Sequence, residues 1–259
     1  MAKVFLSIGH GGKDPGATAH GMKEKDINLV IGMKCKSELE RHGITVICSR
    51  TKDENDPVAQ EVIEANASGA ELAFSIHTNS AANNKADGSE SYYYSSNENG
   101  KRLAELCEKY TKELGQNSRG AKHGDKLYFI RKTNMTAVLS ECAFINNDKD
   151  NDIIDTKAEQ EKFGVAYAKA ILEYFGIAYK SPTVVKSATT SSAYYGKYTG
   201  TSVSIDVVFK AIGVPEQYRG IYKKRRPVAT KNGINHYTGT ATQNLKLIAL
   251  AKQGKLKKV

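Results

Sequence analysis

Over its first 180 residues the chain alternates between two hydrophobic periods, and that alternation limits the fold more than any other feature. Short apolar runs at 4–8, 44–48, 72–76, 91–94, 127–130 and 137–139 predict strands. Between them, apolar residues recur three and four positions apart. Ile27, Val30, Ile31, Cys35 and Leu39 form one such stripe, Leu103, Leu106, Cys107, Tyr110 and Leu114 a second, and Phe163, Tyr167, Ala170, Ile171 and Tyr174 a third. Each stripe gives a helix one face to lay on a sheet. Strands alternating with such helices predict an α/β fold: a mostly parallel, twisted sheet with helices on both faces. In sheets of this kind chemistry collects at the carboxyl ends of the strands.

The pattern stops near residue 180. Seven of the twelve residues from Ser181 to Ser192 are Ser or Thr, a composition that cannot bury a core and behaves as a tether. The expected organisation is a large domain over 1–178, a Ser/Thr-rich linker over 179–193 and a small helical domain over 194–259. Within the small domain Tyr198-Thr199-Gly200-Thr201 recurs as Tyr237-Thr238-Gly239-Thr240. Each copy leads into a predicted helix, 205–212 and 243–251, with Ser or Thr placed to cap it. A third helix is expected within 216–231, interrupted at Pro227.

Charge divides at the same place. Residues 1–180 hold 24 Lys and Arg against 26 Asp and Glu, whereas residues 181–259 hold 14 against 2. The whole excess of +10 therefore belongs to the tail, which favours an anionic partner. No apolar run approaches the roughly 20 residues of a membrane span, so no membrane insertion is expected. The apolar start, 4–8, is too short for the core of a secretory signal (about 7–15 residues) and reads as a first strand, implying synthesis in the cytoplasm. The four cysteines form no C-x-x-C pair and are expected to be small buried hydrophobes.

Two histidines stand at predicted strand ends, His10 in Ser7-Ile8-Gly9-His10-Gly11-Gly12 and His77 in Phe74-Ser75-Ile76-His77-Thr78-Asn79. Small neighbours leave an open shelf beside each. Two carboxylates belong to the same layer: Glu24 at the start of the first helix, and Glu141 at the end of an apolar strand. A charge there is costly unless it is paired or bound to a cation. Two imidazoles and one carboxylate make the ligand set of a catalytic zinc with a fourth position open. The remaining glutamate would then carry protons; spacing alone does not say which glutamate is which.

Here the sequence resembles a known family. Gly9-His10-Gly11-Gly12-Lys13-Asp14-Pro15-Gly16 and Lys23-Glu24-Lys25-Asp26-Ile27-Asn28-Leu29 are similar to the opening of the zinc N-acetylmuramoyl-L-alanine amidases of the amidase-3 type. Ser75-Ile76-His77-Thr78-Asn79 resembles their second histidine motif. Arg119-Gly120-Ala121-Lys122, Leu127-Tyr128-Phe129-Ile130-Arg131 and 138–147 complete the pattern in the family's order, from about residue 3 to 175. The resemblance implies one Zn2+ held by His10, Glu24 and His77, with Glu141 as catalytic acid and base. Asn79 and Arg131 recur in the motifs and are candidates for substrate contact. Ser7-Ile8-Gly9-His10 departs from the usual Asp-Pro-Gly-His without touching a ligand.

The tail resembles the wall-binding segments of clostridial phage endolysins, and no nucleic-acid motif accompanies its charge. The expected protein is thus a peptidoglycan hydrolase, a phage or prophage endolysin, cleaving the amide between N-acetylmuramic acid and L-alanine. Its tail would bind an anionic cell-wall polymer, and it would reach the wall after release from the host cytoplasm. The alternatives are a zinc peptidase cutting the stem peptide and a non-catalytic wall-binding protein.

Overall fold

The structure is a computed structural model and describes residues 2–181 and 193–259. The Ser/Thr-rich segment predicted as a linker falls mainly on 182–192, outside the described residues. Internal contacts divide the chain into two units, Met1–Ser181 and Pro182–Val259.

The larger unit is built on a six-stranded sheet. In chain order its strands are β1 (Lys3–Ile8), β4 (Thr45–Cys48), β5 (Leu72–Asn79), β6 (Ser89–Tyr93), β7 (Ser118–His123) and β8 (Thr136–Phe144), arranged β4-β1-β5-β8-β6-β7. The strands β4, β1, β5 and β8 are mutually parallel. β6 runs antiparallel to β8, and β7 runs parallel to β6. A two-strand ribbon, β2 (Thr18–Ala19) and β3 (Met22–Lys23), precedes the first helix.

Both faces are covered, as the two periods require. Helices α1 (Glu24–Arg41), α3 (Glu98–Lys112) and α6 (Lys157–Tyr174) lie over one face, the short α5 (Asp148–Ile154) leading from β8 to α6. There Val4, Leu6, Leu72, Phe74, Ile76 and Val138 meet Ile27, Ile31, Leu103, Phe163, Tyr167 and Ile171. On the other face Phe5, Ala73, Ala137 and Leu139 pack with α2 (Val58–Ala67) and α4 (Tyr128–Lys132) through Val62, Ala65, Phe129 and Ile130. Because side chains alternate along a strand, His77 continues the parity of Ala73 and Ser75, and Glu141 that of Ala137 and Leu139. Cys35, Cys107 and Cys142 are buried and all four cysteines are free, consistent with packing residues.

Two expectations need correction. The run at 127–130 is not a strand: Tyr128–Lys132 is a helical turn whose Phe129 and Ile130 are buried. An apolar run of four residues carries no period that separates strand from helix. The strand Ser118–His123 escaped because its sequence, Ser-Arg-Gly-Ala-Lys-His, has almost no apolar side chains. It is an edge strand, and Ser118 joins Ser89 and Ser91 in hydrogen bonds to the buried Glu108 of α3.

The smaller unit is helical: α7 (Ile205–Ala211), a 3-10 turn (Glu216–Tyr218), α8 (Tyr222–Lys231) and α9 (Ala241–Lys252). Thr240 caps α9 in a reciprocal capping box with Gln243, whereas Ser204 makes no side-chain cap on α7. Helix α8 runs through Pro227, and the break falls earlier, between the 3-10 turn and Tyr222. Burial of Arg225, Val228 and Ala229 on either side of the proline holds that helix together. Both repeated tyrosines are buried in the core of the unit, while the threonines of both copies stay exposed. Tyr198 Oη accepts from Ser202 N (3.0 Å), whereas Tyr237 Oη accepts from Arg225 Nε (3.0 Å).

Gly164 sets how closely α6 approaches α1. A Cβ there would lie 2.6 Å from Ile31 O and 2.7 Å from Lys34 Cβ, both on a helix that cannot yield locally. Gly164→Ala should therefore lower stability by about 1–3 kcal/mol through overpacking, although alanine is the better helix former by about 1 kcal/mol. Thermal or urea unfolding of the variant reads this directly, and a raised midpoint would contradict it.

Candidate metal centre

At the carboxyl edge of β1 the chain turns sharply. His10 takes the left-handed conformation (φ 65°), uncommon for a residue with a side chain, and Gly11 and Gly12 follow with positive φ. The turn is held from beneath by Arg50, which is 2% exposed. Its guanidinium donates to Ile8 O (2.8 Å), Gly9 O (3.2 Å) and Lys25 O (2.7 Å). The ribbon β2–β3 then brings the chain back, and Glu24 opens α1 facing the turn.

Three of the expected residues meet here. His10, Glu24 and His77 each offer one ligand atom, and these atoms lie within 4.8 Å of one another. Glu24 Oε2 is 3.2 Å from His10 Nε2, and Glu24 Oε1 is 3.0 Å from His77 Nδ1. Glu24 also accepts from Ala17 N (2.9 Å), Thr78 N (2.9 Å) and Asn28 Nδ2 (3.3 Å). On the far side of the first imidazole, His10 Nδ1 donates to Asp14 Oδ2 (2.7 Å), which aims Nε2 at the cluster.

The surroundings leave no room for a side chain beside the ligands. A Cβ at Gly16 would lie 2.6 Å from Glu24 Oε2 and 2.7 Å from His10 Cδ2, and one at Gly9 would lie 2.4 Å from the His77 ring. These glycines allow the ligands to be crowded together. Two imidazoles and one carboxylate, with an outer carboxylate orienting one ring, suit zinc with an open coordination position. Burial opposes protonation of His10, but Glu24 and Asp14 outweigh it and raise its pKa to about 9. Burial likewise opposes ionisation of Glu24, yet the two imidazoles hold its carboxyl well below the ordinary range. A metal entering this cluster must displace protons from it.

Glu141 is brought alongside by register. On β8 it pairs with His77 of the parallel β5 and with Glu90 of the antiparallel β6. Its Oε2 is buried with no hydrogen-bond partner among the described residues. Burial, reinforced by Glu24 and Glu90, lifts its pKa to about 7 against the pull of the imidazoles. Glu90 behaves oppositely. It accepts from Asn79 Nδ2 (2.8 Å), Tyr92 Oη (2.6 Å), Arg119 Nε (2.6 Å) and Lys122 Nζ. Burial works against its ionised form, but Lys122, Tyr92 and Arg119 lower its pKa to about 2.

The structure separates the other two candidates. Asn79 ends β5 near the cluster, where its side chain bridges Glu90 and Ser80 N. Arg131 does not join them. It lines a cavity of about 510 Å³ with Tyr94, Asn97, Asn134 and Thr136, where β8 begins, roughly 17 Å along that strand from Glu141 at about 3.3 Å per residue. Sequence reasoning missed Asp14, Asn28, Arg50 and Glu90. Asp14 and Asn28 stand four residues after His10 and Glu24, a spacing that was a usable signal; Arg50 and Glu90 had none, because only the sheet brings them to the site.

A doubly covered α/β domain with a His-Glu-His cluster at its carboxyl edge and a further glutamate in register beside it defines a class: proteins equipped to hold a divalent metal for hydrolytic chemistry. Residues 4–173 match the family described as N-acetylmuramoyl-L-alanine amidase, and the chain belongs to that family. The endolysin of Bacillus phage SPP1 is 36% identical over 186 residues, which cover 69% of this chain and 68% of that protein. The N-acetylmuramoyl-L-alanine amidase LytC of Bacillus subtilis (strain 168) is 33% identical over 175 residues, 66% of this chain but only 35% of LytC. Among solved structures, the catalytic domain of CwlV, an N-acetylmuramoyl-L-alanine amidase from Bacillus (Paenibacillus) polymyxa var. colistinus, superposes with a TM-score of 0.64 at 31% identity. That match covers 69% of this chain and all of the other.

Two outcomes follow from this geometry. His77→Ala removes one of three ligand atoms, so the purified variant should carry well under one equivalent of zinc by elemental analysis; near-stoichiometric zinc would refute the ligand set. Glu90 has a folded pKa below its ordinary value near 4.5, so its stabilisation is present above that value and is lost as pH falls towards about 2. The stability difference between wild type and Glu90→Gln, from urea unfolding, should therefore narrow as pH drops from about 5 to 3. A gap that widens on acidification would contradict the assignment.

Proposed function

We propose that the larger unit, residues 1–178, hydrolyses peptidoglycan at the amide joining the lactyl group of N-acetylmuramic acid to L-alanine. One zinc ion would be held by His10, Glu24 and His77, with Glu141 as the catalytic residue that moves the proton. The observation that carries this reading is the meeting of a three-ligand cluster with a Glu141 whose Oε2 is buried and has no hydrogen-bond partner among the described residues, in a chain of the amidase family. When bound, zinc supplies a Lewis acid that polarises a carbonyl and brings the pKa of water towards ~7.

The chain's own residues supply the rest. Burial raises the pKa of Glu141 above the ordinary carboxyl value, the direction that suits a group which must both accept and return a proton. Glu141 takes a proton from the attacking water and delivers it to the departing alanine nitrogen. Asp14 fixes the His10 ring, and Arg50 holds the His10 turn. Glu90, kept ionised by its own cations, stands opposite Glu141 and disfavours a second negative charge there.

The similarity to a phage endolysin supports a role in phage or prophage lysis, with the enzyme made in the host cytoplasm and acting on the wall after release. The smaller unit, residues 194–259, would be a wall-binding module of the clostridial endolysin kind, holding an anionic cell-wall polymer through its positive charge. The test is loss of turbidity of purified walls with and without a chelator, followed by product analysis. Free lactyl ends and intact stem peptides with new alanine amino termini are expected, whereas cuts inside the stem would mean a peptidase. Glu141→Gln keeps the shape but not the proton carrier; it should retain zinc while turnover falls at least ~10²-fold. Turnover within a few-fold of wild type would remove Glu141 from the chemistry.

A further inference from the structure

Arg219 of the smaller unit has a buried Nε with no hydrogen-bond partner among the described residues. That nitrogen is itself out of reach of solvent, but Arg219 as a residue is only half-buried, so its guanidinium can meet a ligand through its other nitrogens. Arg219 lines a cavity of about 540 Å³ together with Asp206, Lys210, Glu216, Gly220 and Lys224. Asp206 is already committed. It accepts from Gly220 N (2.7 Å) and pairs with Arg225 Nη1 (3.2 Å), whose own Nε is fixed by Tyr237. Three cations, Lys210, Arg219 and Lys224, therefore line the cavity with Glu216 as the one carboxylate left to oppose them.

We propose that this cavity binds a phosphodiester group of a polyol-phosphate polymer of the cell wall. The inference rests on the reading of the smaller unit as the wall-binding module and locates its ligand site. A phosphodiester stays ionised across the physiological range and offers several acceptor oxygens. The planar guanidinium can grip two of them while the lysines approach as point charges. Glu216 disfavours a second phosphate nearby and can accept from a hydroxyl, which suits a chain whose phosphates are spaced by polyol. No aromatic residue lines the cavity, so the bases of a nucleic acid would find no stacking platform there. The excess charge of the tail attracts any polyanion at long range; the cavity chooses among them.

The test uses the full chain and three variants: Arg219→Gln, Lys210→Gln on the exposed rim, and Lys252→Gln, an exposed control outside the cavity with the same charge change. Calorimetry with soluble glycerol-phosphate oligomers should show binding weakened about tenfold by each cavity variant and less than twofold by Lys252→Gln. Sedimentation with purified walls should follow the same order and be lost when hydrofluoric acid strips the phosphodiester polymers. Equal binding of oligomer by all variants overturns the site, as does displacement of the oligomer by duplex DNA at an equal or lower phosphate concentration. Because Lys210 is exposed, its variant decides the matter even if Arg219→Gln unfolds. Oligomer binding that depends on Arg219 and Lys210 without wall binding keeps the site and refutes the wall reading. Wall binding that is indifferent to both residues keeps that reading and refutes the site.

Discussion

The catalytic edge of this protein depends on where one carboxylate is held. Glu24 is the first residue of α1 and is buried, a placement that would be prohibitively costly for an isolated charge. It is supported by backbone donors from two separate segments, Ala17 and Thr78, by Asn28 one turn along its own helix, and by the imidazoles of His10 and His77. The positive end of the helix macrodipole adds to this. Glu24 therefore ties the β1 turn, the end of β5 and the start of α1 to one another. Helix α1 is in turn fixed by the core, with Gly32 seated on Ile8 and Ile27 and Ile31 packed under the sheet. Core packing and site geometry cannot be perturbed independently.

Three carboxyl groups stand along this edge, and their surroundings give them different fates. Glu24 is kept ionised by histidines, Glu90 by Lys122, Tyr92 and Arg119, and Glu141 has no hydrogen-bonding partner on its buried Oε2 among the described residues. Neighbours that push apart the pKa values of like groups are how a site separates ligand, structural anion and proton carrier. The antiparallel β6 makes this possible. It places Glu90 directly opposite Glu141, so the same strand pairing that extends the sheet raises the affinity of Glu141 for a proton.

The smaller unit works by a different balance. Its core is slight, centred on Val208, Phe209, Val228, Tyr237, Leu247 and Leu256, and a polar set in which buried Arg225 and Tyr237 meet the half-buried Asp206 and Asn244 joins α7, α8 and α9. The repeated Tyr-Thr-Gly-Thr segments diverge in what they bind, one tyrosine closing its own turn and the other anchoring Arg225. Matching Asp206 with Arg225 leaves Glu216 as the one carboxylate lining the cavity to oppose Lys210, Arg219 and Lys224.

Periodicity alone determined the α/β class, the helix stripes and the change of character near residue 180, because a helix or strand with one apolar face has few ways to bury it. The placement of His10 and His77 at the carboxyl edge and of Glu24 at a helix start was also legible, whereas the strand end expected at Glu141 is corrected by the structure: β8 runs on through Cys142 and Ala143 to Phe144. What the sequence could not decide was anything carried by pairing between distant segments. The polar strand Ser118–His123 has no hydrophobic period and exists because β6 and α3 satisfy it. Arg131 recurs among the family motifs but lies at the opposite edge of the sheet, since α4 precedes β8 and Glu141 lies towards the far end of that strand. Arg50 and Glu90 reach the cluster only through strand order and register. Local pattern records which face of an element is apolar; which charges then meet across the sheet is settled only when the strands pair.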